Sequence, residues 1–221
     1  MKKELKIYLF RHGRTFYNER HIFTGWKDAR LSPRGIQDAK VIARKLAHAK
    51  IDLAFSSDLS RAKLTLKEVL RKHPPVKVII DRRLRERSYG SLEGKSHQHY
   101  ILDEGKDSYK TLLHWHKIDH LHGKERVAFV KALGEAELRI VRRSYFVSPP
   151  KGESVKMVEK RVNSFIKDLL SIMKRDKVNV AISAHGNSIR PFRKYFEHLS
   201  IQEMMQLEQP FDSYFEYTVK V

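Results

Sequence analysis

Apolar residues recur along the chain with two periods. Lys6-Ile7-Tyr8-Leu9-Phe10, Leu53-Ala54-Phe55, Val76-Lys77-Val78-Ile79-Ile80 and Val178-Asn179-Val180-Ala181-Ile182 are short apolar runs bounded by polar or breaking sequence. All four read as strands, the first and the last with the pattern of strands buried in a parallel sheet. Between them apolar side chains return every three or four residues: Ile36, Ala39, Ala43 and Leu46; then Leu59, Leu66, Val69 and Leu70; then Val158, Val162, Phe165, Leu169 and Ile172. These stripes predict amphipathic helices, with Ser32, Asp58 and Ser154 as their N-caps and Pro33 in a first helical turn.

The remaining segments read less regularly. Asp81 to Gly94 reads as a loop, about Asp107 to Arg143 as polar helix, and Pro149-Pro150-Lys151-Gly152 as a break. A further short helix is expected after Pro191, and Tyr214 to Val219 alternates as an edge strand does. Strands alternating with helices predict an α/β three-layer sandwich, with a mostly parallel central sheet and helices on both faces. Residues 1–221 are expected to form a single domain.

Composition narrows the chemistry. At 221 residues, 41% hydrophobic and 32% charged, the chain is neither disordered nor fibrous. With no cysteine, disulfides, thiolate metal sites and cysteine nucleophiles are excluded. The formal net charge of +19 predicts attraction to polyanions or to small anionic ligands. Because the basic residues are spread along the chain without a nucleic-acid reading motif, the small anionic ligand is the preferred partner. No apolar run approaches the roughly 20 residues that span a bilayer, so a cytoplasmic location and no membrane partner are expected.

Ligands of parallel α/β sheets bind beyond the carboxyl ends of the strands. There the first strand is followed by Arg11-His12-Gly13 and the fourth by Ser183-Ala184-His185-Gly186-Asn187-Ser188. A single histidine at such a place is usually structural. Two His-Gly pairs at two strand ends instead make a candidate site, the glycines permitting close approach of backbone to ligand.

In the same order stand Asn18, Phe23-Thr24-Gly25-Trp26, Ser57 with Arg61-Ala62, Leu84 with Glu86-Arg87 and Tyr89-Gly90, Arg142-Arg143-Ser144-Tyr145 and Gly152-Glu153-Ser154. With these motifs the chain resembles the histidine phosphatase superfamily and, within it, the cofactor-dependent phosphoglycerate mutases. The resemblance implies a phosphoglycerate mutase-like fold and a mutase that interconverts 3-phosphoglycerate and 2-phosphoglycerate through a phosphohistidine. 2,3-Bisphosphoglycerate would prime His12, with no metal required. The alternative is a phosphatase of the same superfamily, hydrolysing sugar phosphates or other phosphomonoesters.

On that resemblance His12 is the nucleophile, and Arg11, Arg61 and His185 hold the phosphoryl group and keep His12 neutral. Glu86 is the proton-transfer carboxyl. Its competing reading is a surface ion pair with Arg83 or Arg87. Tyr89, Arg142 and Arg143 would hold the substrate's carboxylate and second phosphate; Asn18, Thr24, Gly25, Gly186 and Asn187 would supply donors around the phosphates. Where relatives carry a substrate-binding lysine after Leu-x-Gly, this chain reads Lys95-Ser96-His97, leaving Lys95 and His97 as candidates for that role.

The stretch between Glu86 and Arg142 is longer than in the family and includes His114, His116, His120 and His122, and an insertion at about 95–148 is expected there. His116 and His120 have the spacing of a helical chelating pair, but no third ligand is evident. A helical cap over the site is the preferred reading, expected to exclude water in place of the basic tail that longer relatives carry. Whether the chain forms a homo-oligomer is left open.

Overall fold

The computed structural model describes residues 4–114 and 118–221. Five strands, β1 (Glu4–Arg11), β2 (Leu53–Ser56), β3 (Lys77–Ile80), β4 (Val180–Ala184) and β5 (Tyr214–Lys220), form one sheet in the order β3-β2-β4-β1-β5. The pairs β3/β2, β2/β4 and β4/β1 are parallel, and β5 lies antiparallel along the outer edge of β1.

Alternating side chains divide the sheet between two helical layers. Leu5, Ile7, Leu9, Phe55, Val180 and Ile182 pack against α6 (Val155–Asp176) and α7 (Gly186–Glu197). Tyr8, Phe10, Ala54 and Ala181 face α2 (Pro33–Lys45) and α3 (Ser60–Leu70) on the other side. The fold is therefore the three-layer α/β sandwich with a mostly parallel sheet.

Two of the caps read from sequence form as expected. Ser32 Oγ accepts the Gly35 amide at 3.1 Å and Ser154 Oγ accepts the Met157 amide at 3.3 Å. The stripe of α6 buries Val158, Val162, Phe165 and Leu169 almost completely, each contributing about 1.5–3 kcal/mol by transfer from water. Phe165 packs between Phe55 and Phe192, so truncating it to alanine is expected to cost about 3–5 kcal/mol.

Other expectations are corrected. Leu59, not Asp58, occupies the cap position of α3. Asp58 instead takes a two-pronged contact from Arg85, at 2.6 and 2.5 Å, because its carboxylate points toward the loop after β3. Pro191 lies inside α7, which begins immediately after His185. The proline is accommodated within the first two turns, where little of the helical hydrogen-bond ladder precedes it. The segment expected as loop contains two 3-10 turns, Arg82–Leu84 and Gly90–Leu92.

Helix in the insertion begins well before Asp107. The helices α4 (His97–His114) and α5 (Gly123–Arg143) run back along each other. Glycines set their separation: a Cβ at Gly105 would stand 2.2 Å from the Val130 carbonyl oxygen, and one at Gly134 1.9 Å from that of Ile101. At the base of the pair, Tyr100 and Val141 join Phe23, Tyr89 and Leu92 in a small apolar cluster. The His116 half of the chelating pair lies outside the described residues. A four-residue helix α1 (Phe16–Glu19) and a short α8 (Ile201–Gln206) complete the chain's helices among the described residues, and none of these helices is long and apolar enough to cross a membrane.

Candidate active site

Strand register sets the site. Arg11 stands opposite Ala184 and Ser56 opposite Ser183, so the residues that follow, His12, Ser57 and His185, leave three neighbouring strands together. The His12 amide donates to the Ala184 carbonyl at 3.0 Å, and the His12 and His185 rings lie 4.9 Å apart. Gly13 lets the chain turn away against α2, since a Cβ there would come within 2.1 Å of the Gly35 carbonyl oxygen. Its amide is held by Thr65 Oγ1 at 3.0 Å.

Both histidines are buried, His12 at 2% exposure and His185 at 0%. His12 Nδ1 lies 2.7 Å from the Gly13 carbonyl oxygen. A carbonyl only accepts, so Nδ1 carries the proton and Nε2 keeps its lone pair. Burial first, then the Arg61 and Arg11 guanidiniums, hold the His12 pKa well below its usual 6.5. Burial and the same arginines, with His12, lower that of His185. The His185 Nε2 is 2.7 Å from Ser57 Oγ, which also accepts the Leu59 amide at 3.3 Å.

The guanidiniums are anchored by carbonyls, and neither forms a direct ion pair with a carboxylate among the described residues. Arg61 donates to the carbonyls of Gly25 at 2.7 Å and Lys27 at 2.9 Å. Arg11 donates to the Gln209 carbonyl at 3.0 Å and lies over the Phe211 ring, 3.8 Å from its centroid. Burial lowers the Arg11 pKa to about 10, still fully charged at neutral pH. Among the described residues, Arg11 Nε, Arg61 Nε and His185 Nδ1 are buried without a partner. Buried nitrogens left without a partner are groups that a bound anion could satisfy.

Glu86 forms no ion pair with either neighbour considered from the sequence. Arg83 bonds Asp81 and Asp168, while Arg87 donates to the carbonyls of Glu153 and Val147. Glu86 Oε1 instead accepts the amides of Arg87 at 2.7 Å and Asn187 at 3.2 Å. Its loop is fastened by Arg161, which donates to the carbonyls of Arg83, Arg85 and Glu86 and forks onto Glu153 at 2.9 Å. Trp26 Nε1 adds a bond to the Glu86 carbonyl at 2.8 Å.

A cavity of about 500 Å³ opens over this cluster. Its wall includes His12, Arg11, Arg61 and Glu86 together with Asn18, Thr24, Gly25, Tyr89, His97, Arg142, Arg143, Gly186 and Asn187, so thirteen of the fifteen expected residues meet there. His185 is the first exception, lying beneath the wall against His12. Lys95 is the second: it is exposed and outside the cavity, whereas His97 lines it. His97 is pressed edge-on against Phe23 at 4.5 Å, and burial with Arg142 and His21 nearby pushes its pKa down to about 4.

The insertion contributes only its two ends. His97 begins α4, and Arg142 and Arg143 end α5; no described residue between 98 and 141 lines the cavity. The helical pair thus meets the cavity through His97, Arg142 and Arg143 alone. The far wall was not legible in the sequence at all. Arg14, Arg34, Arg190, Glu208, Gln209 and Phe211 also face the cavity, and the segment 207–213 lies almost two hundred residues from Arg11, which it contacts. The weak signal was Arg190, one and a half helical turns beyond His185 on a helix that starts at the site.

A profile of the histidine phosphatase superfamily (branch 1) matches residues 7–143 and 117–219. The chain belongs to this superfamily. It is 32% identical over 207 residues to the 2,3-bisphosphoglycerate-dependent phosphoglycerate mutase of Chlamydia felis, covering 92% of this chain and 89% of that protein. Among solved structures it resembles a putative alpha-ribazole-5'-P phosphatase from Escherichia coli, with a TM-score of 0.72 at 18% identity over 98% of this chain and 94% of that one. A mycobacterial glucosyl-3-phosphoglycerate phosphatase superposes with a TM-score of 0.69 at 23% identity, over 98% and 91% of the two chains. Both structural likenesses concern the fold.

Proposed function

We propose that the protein is a 2,3-bisphosphoglycerate-dependent phosphoglycerate mutase, interconverting 3-phosphoglycerate and 2-phosphoglycerate. One observation carries the reading: Arg142 and Arg143, from the end of α5, line the same cavity as His12. A monoester phosphatase needs cations only around the transferred phosphoryl group, and Arg11 and Arg61 suffice for that. Further arginines across the cavity fit a ligand with a second anionic group. The mutase named above, at 32% identity over most of both chains, supports the same reading.

2,3-Bisphosphoglycerate supplies the phosphoryl group that primes His12; the orphaned nitrogens of Arg11, Arg61 and His185 fit its phosphate. In the first half-reaction His12 Nε2 attacks phosphorus, the phosphorus–oxygen bond breaks, and Glu86 gives a proton to the leaving oxygen. In the second, Glu86 takes the proton of the acceptor hydroxyl, that oxygen attacks phosphorus, and the nitrogen–phosphorus bond returns its electrons to Nε2. Charge on the equatorial oxygens is held by Arg11 and Arg61, and His185 adds an Nδ1–H when Ser57 donates its own proton to Nε2. Tyr89, Asn18, Thr24 and the amides of Gly25 and Asn187 would orient the rest of the ligand.

A histidine-type phosphatase is the second reading, favoured by His97. Its depressed pKa leaves a neutral ring near Arg142 where relatives of the mutase type carry a lysine, weakening the hold on a carboxylate. Incubation with 3-phosphoglycerate, with and without 2,3-bisphosphoglycerate, separates the two. Cofactor-dependent 2-phosphoglycerate is the expected product; free phosphate alone would overturn the mutase reading. Small anionic phosphorylated compounds are the partners this reading requires, in place of nucleic acid, and a cytoplasmic site of action suits them.

A further inference from the structure

The cavity already holds a carboxylate of its own. Glu208 lines it, and its Oε1 accepts from Arg143 Nη2 at 2.5 Å. Beyond Arg143, the Arg190 and Arg11 guanidiniums also act on this carboxylate, and together the three keep its pKa below the usual range despite partial burial. Arg190 is fixed in place by donation to the Met205 carbonyl at 2.5 Å, and Arg11 by the carbonyl of Gln209, the residue next to Glu208. Glu208 thus sits among three guanidiniums, those of Arg143, Arg190 and Arg11. A ligand bound through its phosphate at His12 would direct its second anionic group there.

We propose that Glu208 is a specificity-determining residue that competes with the ligand's distal anionic group for Arg143. The inference rests on reading Arg143 as a ligand contact. The Glu208 side chain is 77% exposed and that of Arg143 39% exposed, so the pair is reachable and can open. An exposed ion pair of this kind is worth little, and a ligand can displace it. Once displaced, Glu208 remains beside the incoming anion in the cavity and repels it as a like charge, weakly because its side chain is largely exposed. The penalty scales with charge at the far end of the ligand. It is absent for orthophosphate, moderate for 3-phosphoglycerate and greatest for 2,3-bisphosphoglycerate. A distal hydroxyl escapes it and finds an acceptor in Glu208, which tilts the cavity toward ligands whose far end carries hydroxyls.

The test is calorimetric binding to the full chain of orthophosphate, 3-phosphoglycerate and 2,3-bisphosphoglycerate, for the wild type and for Glu208→Gln. The substitution keeps shape and removes charge. It should tighten 2,3-bisphosphoglycerate relative to orthophosphate by about three- to tenfold, as expected for relief of one weak competing pair plus repulsion. In an Arg143→Ala background the same change should have less than half that effect on the ratio. An unchanged ratio, weaker binding of the bisphosphate, or equal tightening of all three ligands would each overturn the proposal. Binding ratios need no turnover, so a protein without mutase activity that shows the expected ratio would remove the mutase reading and leave Glu208 in its role.

Discussion

The imidazole rings of His12 and His185 lie 4.9 Å apart, each delivered by the residue after a neighbouring parallel strand and both within the field of Arg11 and Arg61. Neither ring can hold a second proton easily in such a place. Burial removes the water that would solvate the cation, and the two guanidiniums add like charge. His12 consequently keeps its Nε2 lone pair well below the pH at which an ordinary histidine loses it.

A pH dependence follows. The rate of phosphoryl transfer to His12 should stay flat from pH 8 to about 5.5, where an ordinary histidine would have lost most of its lone pair. Rapid-quench measurement of acid-labile label on His12 tests this, with His12→Ala as the unlabelled control. A tenfold fall by pH 5.5 would show that His12 titrates normally.

Stability should move in the opposite sense to that constancy. Unfolded, His12, His185 and His97 each bind a proton near pH 6.5; folded, all three have lowered pKa values, His97 at about 4. Below pH 6.5 the unfolded chain therefore binds more protons than the native one, and unfolding becomes easier as the pH falls. The melting temperature should drop between pH 6.5 and 5, before carboxylates contribute, and His185→Asn should reduce the slope. An equal slope in that variant would assign the loss elsewhere.

Arg161 is the positioning residue for Glu86. Its side chain is 17% exposed and that of Glu153 13%, and removing one member of so buried a pair costs about 3–5 kcal/mol. Arg161→Ala should lower stability by that order in denaturant titration. Arg161→Lys should recover stability only in part, since an ammonium cannot fork onto Glu153 while reaching three carbonyls. On the proposed mechanism both should depress kcat more than KM, because the lost contacts hold the Glu86 loop rather than the ligand. A change confined to KM would place the effect on binding.

Arg142→Ala and Arg143→Ala should each impair turnover of phosphoglycerate at least tenfold more than hydrolysis of a small aryl phosphate, which has no distal anion to hold. Equal losses for the two substrates would make the pair structural. Reading KM for phosphoglycerate in His97→Ala and Lys95→Ala separates the remaining candidates. A several-fold rise is expected for His97, which lines the cavity, and less than twofold for Lys95, which does not. The reverse order would return the ligand contact to Lys95.

Local pattern was enough for the scaffold. Apolar runs of strand length, helical stripes behind Ser32 and Ser154, and two His-Gly pairs immediately after strands placed β1, β2, β4 and the positions of His12 and His185, because burial on both sheet faces and the strand-end rule act on contiguous residues. Arg61, Glu86 and Arg142 were found only by motif, since nothing in a charged residue's immediate neighbours distinguishes a desolvated anion contact from a solvated one. Caps and boundaries were less legible. Asp58 reads as a helix cap and Pro191 as a helix start, yet Arg85 captures the first and the second is absorbed into α7. Tertiary structure alone decided the rest: that His97 rather than Lys95 reaches the cavity, that the insertion meets it only through its two ends, and that Glu208, Gln209 and Phe211 line it as well. Each of these depends on distances between segments far apart in the chain. Glu208 is a carboxylate by its sequence, but that it meets Arg143, 65 residues away, is set only when the fold brings the end of α5 to the segment after α8.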